Sequence, residues 1–144
     1  MLEVNLSIEL GSPAETVWET VGNFNGMGKW HPLVQFSALV PVPGGIGRRV
    51  TIAGDAAGDR ELFEHLVSFD ASTREYAYTI VSGPVPFMDY IGRFRVVSSD
   101  AERCMCKYHG LFKAKPEQSD AAATSRIHNF YKTGLDNLVT IFGS

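Results

Sequence analysis

The stretch Gln118–Phe142 reads QSDAAATSRIHNFYKTGLDNLVTIF. Ile127, Phe130, Tyr131, Gly134, Leu135, Leu138, Ile141 and Phe142 recur at three- and four-residue spacing, with Asn129, Lys132, Thr133, Asp136, Asn137 and Thr140 on the opposite side. This spacing predicts one amphipathic helix with a wide apolar face, the only long helical pattern in the chain. Such a face must be buried against something large. Almost everything before it has strand periodicity, so the expected partner is a sheet. Gly134 falls near the middle of the inward face, where glycine costs about 1 kcal/mol relative to alanine. Close helix–sheet contact is the leading explanation; room left for a ligand is the alternative.

Outward from this helix, the strands come first. Val4, Leu6, Ile8 and Leu10 alternate with polar residues, as expected of a half-buried strand. Gly11-Ser12-Pro13 ends it and starts a short helix, with Ser12 as the expected N-cap and Val17, Trp18, Val21 and Phe24 as its apolar face. A second short helical turn is expected before Trp30-His31-Pro32. From there the period is two: Leu33–Val40, Arg48–Ala53, Arg60–Phe69, Glu75–Val81, Phe87–Val97 and Arg103–Lys113 read as six successive strands, with a hairpin turn at Gly54–Asp59. Strands in succession with tight turns predict an antiparallel meander.

Alternation also predicts what faces inward. Met88, Tyr90, Gly92, Phe94 and Val96 share one face, opposite Phe87, Asp89, Ile91, Arg93 and Arg95. Cys104, Cys106, Tyr108, Gly110 and Phe112 share another, and Tyr76, Tyr78 and Ile80 a third. Tyr131 looks at them from the helix. Tyrosines need partners for their hydroxyls when buried. Several of them facing one helix describe a polar-tipped ligand cavity better than a dry core.

Composition bounds the function. At 144 residues with 44% apolar and 20% charged residues, residues 1–144 are expected to form one globular domain. A net charge of −3 without a Lys/Arg block argues against nucleic acid. No apolar run approaches membrane-spanning length, and Met1–Leu10 lacks the basic start of a signal peptide, so a cytoplasmic location is expected. Cys104 and Cys106 lack zinc-site spacing and read as reduced core residues. Gly44-Gly45-Ile46-Gly47 opens a strand and is a turn, not a phosphate loop. His31, His65, His109 and His128 form no expected metal cluster. No cofactor is expected.

A strand, two short helices, a six-strand meander and a long C-terminal helix resemble the helix-grip fold of the START-like, or SRPBCC, superfamily, in its polyketide cyclase/dehydratase-type branch. The resemblance is carried by Ser12-Pro13-Ala14-Glu15-Thr16-Val17-Trp18, Phe24, Trp30-His31-Pro32, Glu64-His65-Leu66, Asp70, Tyr78, Gly83-Pro84-Val85-Pro86, Tyr90 and Gly134-Leu135. It implies an α+β domain in which a curved antiparallel sheet of about seven strands wraps the helix around an apolar cavity. Members include ligand carriers, sensors, and cyclases, dehydratases and lyases. Tyr108 stands where the family often has Trp.

The expected ligand-binding residues are Trp30 at the mouth, with Arg48, Tyr78, Tyr90, Tyr108, Phe112, Tyr131, Gly134 and Leu138. The strand holding Glu64 is apolar on both faces, so its parity is open; the resemblance places Glu64 and Leu66 inward. A carboxylate there could be a general acid or base. It could equally be the structural partner of Arg48 across a hairpin, which is the leading expectation. His31 is expected to be a solvated loop residue. Besides an accessory protein that recognises a protein partner through its outer surface, two functions remain in view. One is binding of a small hydrophobic, aromatic or polyketide-like molecule by a monomer or homodimer. The other is acid–base chemistry on that molecule, with Glu64 as base, Tyr90 as oxyanion donor and Tyr131 as positioning group.

Overall fold

The computed structural model describes residues 1–55 and 58–144. Its elements are β1 (Leu2–Leu10), α1 (Ala14–Val21), a 3₁₀ turn (Met27–Lys29), β2 (Val34–Val42), β3 (Gly45–Asp55), β4 (Gly58–Asp70), β5 (Glu75–Ser82), β6 (Phe87–Ser98), β7 (Cys104–Ala114) and α2 (Asp120–Phe142). The strands form one seven-stranded sheet in the order β1-β7-β6-β5-β4-β3-β2. Every pairing is antiparallel. Strands β2 to β7 are the expected meander, and β1 closes onto β7. With α2 across one face, this is the α+β helix-grip architecture. The tip of the hairpin expected at Gly54–Asp59 lies outside the described residues. The β2–β3 turn uses Gly44 and Gly45 at φ +97° and +133°, values that a side chain would strain.

Helix α2 begins at Asp120, two residues later than its periodicity suggests, because Ser119 caps it: the Ser119 hydroxyl accepts from the Ala122 N–H at 3.0 Å. Ile127, Tyr131 and Leu138 are buried, while Asn129, Asp136 and Thr140 are exposed. Ile141, assigned to the apolar face by spacing, is 46% exposed in the last turn. The helix packs on β1 and β7. Ser12 does not cap α1, whose N-cap is Pro13. Instead its hydroxyl donates to the Phe142 carbonyl at 2.7 Å, while the Gly11 N–H donates to the Gly143 carbonyl at 3.0 Å. A long-range contact thus outcompetes the local cap, and the start of α1 becomes the brace for the end of α2.

One face assignment is reversed. β6 carries a bulge between Met88 and Ile91, with Asp89 at φ +53°. An extra residue shifts the alternation by one. Phe87 therefore faces inward beside Tyr90, at 6% and 7% exposure, and Met88, expected inside, is 39% exposed. Cys104 and Cys106 are buried and unpaired by disulfide.

Candidate functional site

Because α2 lies over β1 and β7, the inner face of β3 to β6 is left partly uncovered beside its N-terminal half. A cavity of about 400 Å³ occupies that space. Its walls are mainly apolar, including Ile52, Leu62, Ile80, Val85, Phe87 and Ile127. The mouth is polar, with Arg60 from β4 and Ser125, Arg126 and Asn129 from α2. At the inner end stand Glu64, Tyr78, Tyr90 and Tyr131.

Glu64 points inward, and its cation is the one across the β3–β4 register, where Arg48 lies opposite it. The Arg48 Nε–H donates to Glu64 Oε1 at 2.6 Å, and its Nη1–H donates to the Phe24 carbonyl at 3.0 Å. The guanidinium also lies over the Phe24 ring at 4.0 Å and the Tyr78 ring at 4.9 Å. Arg48 is 0% exposed and Glu64 6%. Burial works most strongly against the Arg48 charge, but the Glu64 carboxylate together with the Tyr76, Tyr78 and Tyr108 side chains outweighs it, so the guanidinium's pKa is raised. Arg48 is therefore the counter-ion behind Glu64 and does not line the cavity.

The tyrosines form a chain. The Tyr108 hydroxyl meets that of Tyr78 at 2.6 Å, Tyr78 meets Tyr90 at 3.1 Å, and Tyr90 meets Tyr131. Two glycines paired across β6 and β7, Gly92 and Gly110, make the notch that holds them. A Cβ at Gly92 would lie 2.5 Å from the Tyr90 hydroxyl, and the nearest atom to one at Gly110 is the Tyr131 hydroxyl. Burial, ahead of the neighbouring phenols, pushes the pKa of all four well up, so they stay protonated.

Five of the expected contact residues besides Arg48 also lie elsewhere. Tyr108 is stacked beneath α2 on Tyr131, with ring centroids 3.7 Å apart, and Phe112 packs behind Phe87 at 5.9 Å. Both are on β7, which the helix covers directly. Leu138 is buried in the core, not in the cavity wall. Trp30 is 1% exposed and not at a mouth; it packs on Phe94, and its carbonyl accepts from Asn137 Nδ2 at 2.8 Å. Gly134 faces Trp30 and His31: an added Cβ would meet His31 Cδ2 at 2.6 Å and Trp30 Cζ3 at 3.0 Å. Close packing, rather than ligand space, accounts for that glycine.

His31 is also not the solvated residue expected. It is 1% exposed and stacks on Phe130 at 3.9 Å. Its Nε2–H donates to the Phe130 carbonyl at 2.7 Å, and its Nδ1 accepts from the Leu33 N–H at 3.2 Å, which fits the neutral tautomer protonated on Nε2. Burial, opposed by the Phe130 bond and reinforced by Arg48, pushes its pKa down to about 4. Missed by sequence reasoning were Phe87, hidden by the bulge, and the cavity residues Leu33, Ile52 and Val85, which carry no signal beyond apolarity; Ile80, on the inward face with Tyr78 by alternation, was not among the expected contacts. Among the described residues, no three His, Cys, Asp or Glu side chains gather as a metal site, and no helix is long and apolar enough to cross a membrane.

The architecture has close counterparts. The protein XoxI from Bacillus cereus is 27% identical, with a TM-score of 0.88 over 99% of this chain and 96% of its own. The Zhui aromatase/cyclase from a Streptomyces species is 16% identical, with a TM-score of 0.73 over 97% of this chain and 92% of its own. A START superfamily protein from Mycobacterium smegmatis is 14% identical, with a TM-score of 0.70 over 96% and 92%. The last two show a shared fold only. No curated protein matches the chain. The sequence itself matches the family described as polyketide cyclase / dehydrase and lipid transport over residues 1–143, from β1 through the end of α2. With the sheet, the gripping helix and the inner cavity all within that match, the chain belongs to the polyketide cyclase/dehydrase and lipid transport family.

Proposed function

We propose that this protein binds a small hydrophobic molecule, aromatic or polyketide-like, between the sheet and α2. The observation that carries the reading is the cavity. Its volume of about 400 Å³ falls within the range of small-molecule sites. It also has the mix such sites have, with apolar walls and a few convergent polar groups. Planar ligands suit the Phe87, Tyr90 and Tyr131 rings. On this reading residues 1–144 act as one ligand-binding domain in the cytoplasm, as a monomer or homodimer, without a cofactor. The net charge of −3 fits a partner other than nucleic acid.

The test is native mass spectrometry of protein purified from its own host, followed by extraction and identification of any bound compound. Ile80→Trp, which would fill the cavity, should remove that compound while leaving the thermal midpoint nearly unchanged. A wild-type protein that carries nothing, and that takes up none of a panel of naphthols and aromatic ketones, would overturn the reading.

The second reading is catalysis on the same ligand, favoured by Glu64, Tyr90 and Tyr131 facing one cavity. Acid–base work would require Glu64 to exchange protons despite its bond to Arg48. Chemical change of the extracted compound on incubation with the protein, lost in Glu64→Gln with binding retained, would support catalysis; an unchanged compound favours the carrier.

A further inference from the structure

The tyrosine chain has a proton count that does not balance internally. Four hydroxyls in line, Tyr108–Tyr78–Tyr90–Tyr131, make three hydrogen bonds. Each hydroxyl carries one proton, and each bond uses one. One proton is therefore left over, and every bond in the chain must point toward the residue that keeps it. If that residue were Tyr108, the unused O–H would lie at a 0% exposed position outside the cavity, where Tyr78 is the one hydrogen-bond partner of the Tyr108 hydroxyl among the described residues. A buried unpaired donor is costly. Tyr78, Tyr90 and Tyr131 all line the cavity. The free donor is therefore presented to whatever occupies that space.

We propose that the four phenols act together as a single hydrogen-bond donor that selects ligands with an accepting carbonyl oxygen, and that Tyr108, although outside the cavity, is a positioning residue for it. The proposal rests on the ligand-binding reading above and adds the polarity of the ligand at the inner end. Tyr108 contributes in two ways. Its donation to Tyr78 orients the rest of the chain toward the cavity, and its ring, stacked on Tyr131, holds that phenol in place. Hydrogen bonds in series polarise one another, by roughly 10–30% per bond. Burial keeps the four phenols protonated, so the donor persists across the neutral range. The Gly92–Gly110 notch admits the hydroxyls to this arrangement.

The test uses two probes of the same shape, 1-tetralone labelled with carbon-13 at the carbonyl, and tetralin, which lacks the oxygen. Calorimetry reads the affinity of each, and infrared difference spectroscopy reads the carbonyl stretch of bound tetralone. The expected result is that both bind and that the stretch lies below its value in cyclohexane. In Tyr108→Phe that shift should shrink by roughly 10–30%, with tetralin affinity unchanged; a purely structural role would alter both probes alike. Tyr78→Phe, which cuts Tyr108 out of the chain, serves if the first variant does not fold, and should shrink the shift at least as much. If both probes bind but the stretch stays at its cyclohexane value, or the shift survives the variant unchanged, the inference falls and ligand binding stands. If neither probe binds at millimolar concentration, the inference falls, and the ligand-binding reading falls with it only when the wild-type protein also carries nothing from its host and takes up none of the wider panel.

Discussion

Replacing Glu64 by glutamine keeps the side chain's size and one accepting oxygen but removes its charge. The folded variant must then hold the Arg48 guanidinium, 0% exposed, without a counter-ion. Arginine cannot escape by losing its proton. In the wild type the paired atoms are 2.6 Å apart. With charge centres ~4 Å apart and an effective dielectric constant of ~20, the attraction is ~4 kcal/mol. Breaking buried pairs costs about 3–5 kcal/mol. The Gln oxygen can still accept from Nε, and the Phe24 and Tyr78 rings still face the cation, so the lower end, about 3 kcal/mol, is expected. At ~2.1 cal/mol/K per residue over 144 residues, the unfolding entropy turns that into a fall of about 10 °C in thermal midpoint. Urea unfolding followed by circular dichroism measures the loss directly. A second variant, Arg48→Met with Glu64→Leu, removes both charges and should recover stability to within about 1 kcal/mol of wild type. Glu64→Gln within ~1 kcal/mol of wild type, with an unchanged denaturant slope, would refute the argument that this pair holds the sheet's inner face together.

Two further outcomes concern the packing under α2. Gly134→Leu should destabilise the fold by at least 3 kcal/mol in the same urea assay, roughly the top of the range for overpacking, because the new side chain meets a ring of His31 fixed by two hydrogen bonds; a variant that folds normally and loses only ligand would restore the ligand-space explanation. The depressed His31 pKa, about 4 against an ordinary 6.5, means that the unfolded chain takes up a proton before the folded one does. Stability should therefore be fully present above about pH 6.5 and fall by about 3 kcal/mol as the pH drops to about 4. A His31→Asn variant should lose that part of the slope, and identical pH profiles for the two proteins would count against it.

Local chemistry determined the order and type of the elements. The three- and four-residue spacing of Ile127, Tyr131 and Leu138 can be satisfied only by a helix with one buried face, and the period-two runs only by half-buried strands, whatever surrounds them. Turn and cap residues such as Gly44-Gly45 and Ser119 set most boundaries to within a few residues. Even the inward tyrosines were legible, because a strand that puts Phe94 inside must put Tyr90 and Gly92 there too. What alternation cannot show is an extra residue in the ladder: the bulge at Asp89 leaves the sequence looking regular while exchanging Met88 for Phe87 at the cavity wall.

Tertiary structure alone decided which inward residues meet a ligand and which meet each other. Tyr78 and Tyr108 have the same chemistry on equivalent faces, yet only Tyr78 lines the cavity, because α2 lies over β1 and β7 and leaves the strands toward β4 uncovered. Trp30 and His31 follow a loop-like stretch that reads as solvated, and they are among the most buried side chains because a glycine four helical turns into α2 opens a slot for them. The strand pattern left open which way Glu64 points; the β3–β4 register turned it inward and set it against Arg48. Side-chain periodicity is a property of one element at a time, whereas burial, charge pairing and cavity all depend on where a second element comes to rest.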